Sequence, residues 1–208
     1  MSDLQTTRER SRDLERLLTF IDAIVAIAIT LLVLPLVDSV GELADGASVR
    51  SFLVDHRGLL AAFLLSFLVI ANLWRVQHRV LRTVVASSEG LTRLLVAWSL
   101  TMVFLPFPTA LMARPGSVGE QLTTKLLYVG TMTLSSLVLS ATSLLIARND
   151  DLRDSPERPD VARGFATTLT FLIALVVMLV FPGTSYWPLL LLLLSDRVVD
   201  VWRRSNPH

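Results

Sequence analysis

Asp22 is the residue with the most chemistry to explain. It lies inside Arg16–Leu36, RLLTFIDAIVAIAITLLVLPL, a run that is otherwise nearly all apolar. A carboxylate in such a run either rests near the lipid headgroups or belongs to a helix whose ordered face lines something. The residues after it are ordered. At about 100° per residue, Ala23, Ile27, Thr30, Leu31 and Leu34 share one helical face, with Asp22, Ala26 and Val33 to one side of it. A helix bathed wholly in lipid needs no such order. Other chemistries find no residues to carry them. The three histidines, His56, His78 and His208, are far apart, and no acid or histidine stands at metal-ligand helical spacing with them, so no metal site is expected. The absence of cysteine removes disulfides, thiol catalysis and thiolate ligands. There is no phosphate-binding loop and no dinucleotide fingerprint, so neither a cofactor nor an enzymatic activity is expected.

Positioning these residues falls to membrane helices. Hydrophobic residues make up 52% of the 208, and the mean hydropathy is +0.60, too apolar for a soluble domain of this size. A net charge of +1 gives no basic field that would suggest nucleic acid. Residues 1–16 are polar and charged, and the run that follows is too long for a signal-peptide core, so they read as a helical lead-in. The apolar runs predict an all-α membrane protein, one domain over 1–208 with six transmembrane helices at about 17–37, 58–80, 91–112, 122–147, 164–180 and 187–201. The first is expected to end near Pro35, with a polar loop over Asp38–Asp55. Pro106 and Pro108 remove two backbone donors and predict a kink in the third. The Ser- and Thr-rich fourth has no partner base, so its hydroxyls read as small packing groups.

Basic residues orient the spans. With the amino terminus inside, the inner segments hold Arg8, Arg10, Arg12, Arg16, Arg75, Arg79, Arg82, Arg93, Arg148, Arg153, Arg158, Arg163, Arg197, Arg203 and Arg204. The outer segments keep Arg50, Arg57, Arg114 and Lys125, four of the 19 basic residues. This bias predicts a multi-pass protein of the cell membrane with both termini cytoplasmic.

Three patches resemble a known family. Arg16-x-x-x-Phe20-x-Asp22, followed by Ala26-Ile-Ala-Ile-Thr30-Leu-Leu-Val-Leu34, resembles the first-helix signature of the endosomal/lysosomal potassium channel family, transmembrane protein 175. Trp74 to His78 and Pro106-Phe-Pro-Thr109 are similar to that family's prokaryotic members. Where the family motif reads Phe-Ser-Asp, Ile21 stands in place of the serine. The resemblance implies a homotetrameric potassium channel, because the two-repeat animal members assemble as dimers and this chain has one repeat. It further implies that helix 1 lines the central pore, that Ile27, Leu31 and Leu34 form the constriction, and that Thr30 forms a pore-facing polar layer. Arg16, Phe20, Asp22, Trp74 and His78 would form a structural network tying helix 1 to helix 2. The implied partners are potassium ions, the lipid bilayer and further copies of the chain.

Spacing gives this a physical basis. Four copies around an axis would stack Ile27, Leu31 and Leu34 in rings, where an ion sheds water with no oxygen to replace it. Potassium holds its water less tightly than sodium, so such a barrier favours potassium modestly, as in a weakly selective leak. The TVGYG-type carbonyl filter is absent, and Tyr128-Val-Gly130 falls within an apolar helix. A secondary transporter and a non-conducting membrane scaffold remain alternatives.

Overall fold

The computed structural model describes residues 2–41, 48–112, 117–153 and 161–180. Among these the fold is all helical. The elements are α1 (Ser2–Leu31), α2 (Leu34–Val40), α3 (Val49–Asp55), α4 (Arg57–Leu81), α5 (Glu89–Phe104), α6 (Pro106–Met112), α7 (Val118–Arg148) and α8 (Val161–Val180), with a 3-10 turn at Asp150–Leu152. Four segments are long and apolar enough to cross a membrane: Glu9–Val40, Arg57–Leu81, Glu89–Met112 and Gly119–Arg148. Within α8, Gly164–Val177 is a shorter apolar stretch. The sixth expected helix, 187–201, lies outside the described residues.

Helix starts follow from local chemistry. Ser88 accepts from the Leu91 amide at 3.2 Å at the start of α5. Ser117 and Glu120 form a reciprocal capping box on α7, with Ser117 N donating to Glu120 Oε2 at 2.7 Å.

Two long helices are interrupted by proline. The first does not end at Pro35 as the sequence suggested. It breaks at Leu32–Val33 and resumes as α2, with Pro35 in the first turn, where a missing amide costs nothing. Before the break the ladder tightens to three-residue spacing, Leu32 N to Ile29 O at 3.3 Å and Val33 N to Thr30 O at 3.2 Å. The supposed loop after Asp38 therefore begins as helix, and it also contains α3. The other break falls at Leu105, between α5 and Pro106 of α6. It has the same tightened bond, Leu105 N to Met102 O at 3.3 Å.

The core lies between α1, α4, α5 and α7. Its largest fully buried side chains include Trp98, Tyr128, Ile21, Ile70, Leu91, Leu95 and Met102. On α5 the stripe Leu91, Leu95, Trp98, Met102 packs against both α1 and α7. Against α8, α7 is held by small residues and hydroxyls. Ser136 and Ser140 meet the Thr168 hydroxyl at 3.0 and 2.9 Å, and a Cβ on Gly164 would stand 3.2 Å from Ser140 Oγ. Other hydroxyls of α7 bond back to their own helix, as in Thr131 to the Leu127 carbonyl (2.6 Å) and Ser143 to the Leu139 carbonyl (3.0 Å). At the amino-terminal end of α1, the Ser87 amide bonds the Arg10 carbonyl at 3.3 Å and the Val85 amide bonds the Leu152 carbonyl at 3.0 Å. The α4–α5 linker is thus fastened between the start of α1 and the end of α7.

Candidate functional site

The two sides of α1 meet different surroundings. Leu14, Ile21, Val25, Ala28 and Leu32 are buried, and α5 is the main neighbour of the helix. On the other side, Ala23, Ile27, Thr30, Leu31 and Leu34 are all exposed, Ile27 by 58%. The two sets are centred roughly 150° apart on a helical wheel. The ordered face read from the sequence is thus the exposed face of the helix among the described residues.

Thr30 has a specific electronic orientation there. Its Oγ1 donates to the Ile27 carbonyl at 2.8 Å. The hydroxyl proton is spent inside the helix, so the oxygen turns lone pairs outward. A side chain presented this way is an acceptor for a cation and not a donor for an anion.

The predicted network separates into parts. Trp74 Nε1 donates to Asp22 Oδ1 at 2.9 Å, and His78 Nε2 lies 3.8 Å from the same oxygen. The Trp74 and His78 rings pack at 4.4 Å. His78 Nδ1 is 3.3 Å from the Trp74 carbonyl. These contacts tie α1 to α4 across a partly exposed patch. Arg16 and Phe20 are exposed elsewhere. Arg16 lies six residues before Asp22, about 120° away on the helix and two turns before Ala23 on the uncovered face. No ion pair joins it to Asp22 among the described residues. Ile21, at the family's serine position, is fully buried in the core, so its side chain packs where a hydroxyl would need a partner.

A polar cluster escaped the sequence reading. Ser66 Oγ lies 2.8 Å from Thr109 Oγ1 and 3.1 Å from the Tyr128 hydroxyl, all three buried. Thr109 Oγ1 donates to the Leu105 carbonyl at 2.8 Å. The single protons then order themselves: Thr109 has spent its own, so Ser66 donates to Thr109 and Tyr128 donates to Ser66. This chain closes on a carbonyl at the α5–α6 break and fastens that break to α4 and α7. The available signal was a tyrosine inside an apolar helix and a threonine just after a proline pair, groups that need partners in lipid. Among the described residues no group of His, Asp or Glu could hold a metal ion.

Residues 16–106 match the family model described as endosomal/lysosomal potassium channel TMEM175. A solved structure, described as a lysosomal potassium-selective channel TMEM175 homolog from Chamaesiphon minutus, matches with a TM-score of 0.66. It covers 92% of this chain and 98% of its own, at 23% identity. The fold is the TMEM175 fold. The family match begins at Arg16, the first residue of the helix-1 signature, and ends at Pro106, the first of the Pro-Phe-Pro-Thr patch. The resemblance read from the sequence is borne out over that segment, and through most of the chain the likeness is one of fold. None of the curated proteins compared matches this chain.

Proposed function

We propose that this chain is a TMEM175-type potassium channel: four copies surround an axial pore lined by α1, as one six-helix domain in the cell membrane with both termini cytoplasmic. The observation that carries this is the uncovered stripe. Ile27, Thr30, Leu31 and Leu34 form an exposed, ordered row along the end of α1 and the start of α2, while the opposite side of α1 is packed into the core. One copy cannot enclose a path, and closed rotational symmetry supplies the missing walls. In such an assembly Ile27, Leu31 and Leu34 make apolar rings that gate by dewetting, and the outward lone pairs of Thr30 make a resting layer between them. No filter of carbonyls contributes, so preference for potassium over sodium is weak. The Asp22–Trp74–His78 contact is structural and keeps α1 in register with α4.

The test is current and reversal potential in planar bilayers under opposed potassium and sodium. Ile27→Asn replaces the narrowest apolar ring with amides that solvate ions. A barrier lowered by about 1.4 kcal/mol raises conductance about tenfold, and potassium preference should fall with it. Leu32→Asn is the control, because Leu32 is only 3% exposed. It places an amide in the core and costs roughly 2–5 kcal/mol of packing, so it should lower yield and leave selectivity alone. An unchanged Ile27→Asn beside a leaky Leu32→Asn would reverse the assignment of the faces.

One observation favours a second function. The α1–α2 and α5–α6 breaks give two interrupted membrane helices, the device by which secondary transporters build midplane sites. Gradient-driven potassium current that reverses with voltage separates the two, since a coupled transporter stalls without its second substrate.

A further inference from the structure

The carboxyl-terminal end of α4 is basic in an unusual way. Arg75 and Arg79 stand on the helix at i and i+4, and Arg82, its capping residue, follows at i+7. All three are exposed. On the wheel they centre roughly 160° from Ser66, Val69, Leu73 and Gln77 on the buried side of α4. Nothing acidic accompanies them: Arg57–Leu81 contains no Asp or Glu. Other arginines of the same region are paired, Arg93 with Glu89 and Arg153 with Asp150. Among the described residues no ion pair is formed by the α4 three. Further along the same face, toward the middle of the helix, stand the exposed Leu64 and Leu68. An apolar strip therefore runs into three unmatched guanidinium groups.

We propose that this strip binds anionic phospholipid, with the acyl chains on Leu64 and Leu68 and the headgroup phosphate on Arg75, Arg79 and Arg82. Seven residues of helix rise about 10 Å, and arginine stems bend along apolar surface to bring their heads to one level. The planar fork of arginine matches two phosphate oxygens at once. A headgroup with no compensating amine leaves that negative charge unopposed, which is what distinguishes anionic from zwitterionic lipid here. Trp74, on the neighbouring face, has the amphipathic ring found at the headgroup boundary.

Native mass spectrometry of the full chain in mild detergent, titrated with phosphatidylglycerol or with phosphatidylcholine, tests this without requiring ion flux, so it is independent of the channel assignment. Wild type should retain phosphatidylglycerol with at least roughly tenfold preference, as expected from several juxtamembrane arginines. R75Q/R79Q/R82Q should abolish the preference. R10Q/R12Q/R148Q, which removes equal charge at other positions, should leave most of it. Equal losses in both triples would show a diffuse basic field and overturn the site. Retained preference in the first triple, with a changed copy number, would mean that the arginines pair with a neighbouring copy, and would overturn it too. If the first triple cannot be purified, R79Q alone should lower phosphatidylglycerol retention about threefold to tenfold. No change in R79Q would overturn the site.

Discussion

Ser66 uses its one proton on Thr109 and accepts the proton of Tyr128, so its loss opens two bonds at once. Leaving buried hydroxyls without these partners costs about 1–3 kcal/mol. Ser66→Ala should therefore lower the thermal midpoint in detergent by several degrees. Ser66→Ala with Thr109→Val should cost less than the sum of the two singles, because the shared bond is lost only once. Strict additivity in a melting series would show that the hydroxyls do not act as a chain. At this scale the stripe on α1 was legible, because its members recur at three and four residues within one helix. The chain from Tyr128 to Leu105 was not. Its members lie on different helices, with sequence separations of 43 from Ser66 to Thr109 and 62 from Ser66 to Tyr128, and no local period reports such a meeting. Arg16 stands six residues before Asp22, so helical rotation sends the two side chains to different sides.

Between elements, α8 approaches α7 closely at Gly164. Gly164 faces Ser140 with room for a Cβ only if Ser140 gives by a few tenths of an ångström. Gly164→Ala should be nearly neutral. Gly164→Leu should push α8 from α7, break the Ser136–Thr168–Ser140 hydroxyl contacts and cost about 1–3 kcal/mol, read as a lower melting point and faster proteolysis after α7. Equal stability of the Leu variant would show that α8 is not docked there. Composition announced this contact only as a tendency, since Ser, Thr and Gly favour close helices without naming which. The prolines were more informative. Pro106 and Pro108 announced the break they cause. Pro35 announced a break but not the helix beyond it, because a proline lacks the N–H that would bond back to the preceding turn and leaves the next turn free to form.

For the whole molecule the decisive quantity is the number of copies. Mass measurement in mild detergent should give four chains per particle, and a strict monomer that still passes potassium would exclude a pore built from α1. The helical class and the first four membrane spans were evident in the hydropathy, because lipid demands long apolar helices and little else. What surrounds the uncovered face was not, since a sequence pattern records which side is ordered and not what lies opposite.

The first helix has one more property, and it is mechanical. From Ser2 to Leu31 it is a single hydrogen-bonded rod, gripped at Arg10 by the α4–α5 linker and at Leu14 by the core. Such a rod has one angular coordinate. A twist applied at Arg10 is carried to Ile27 through the buried Ile21, Val25 and Ala28, which must slide on the core as it passes. The interruption at Leu32–Val33 ends that rigidity, so torque stops there. Leu34 and the helix beyond it keep their own orientation when Ile27 and Leu31 turn.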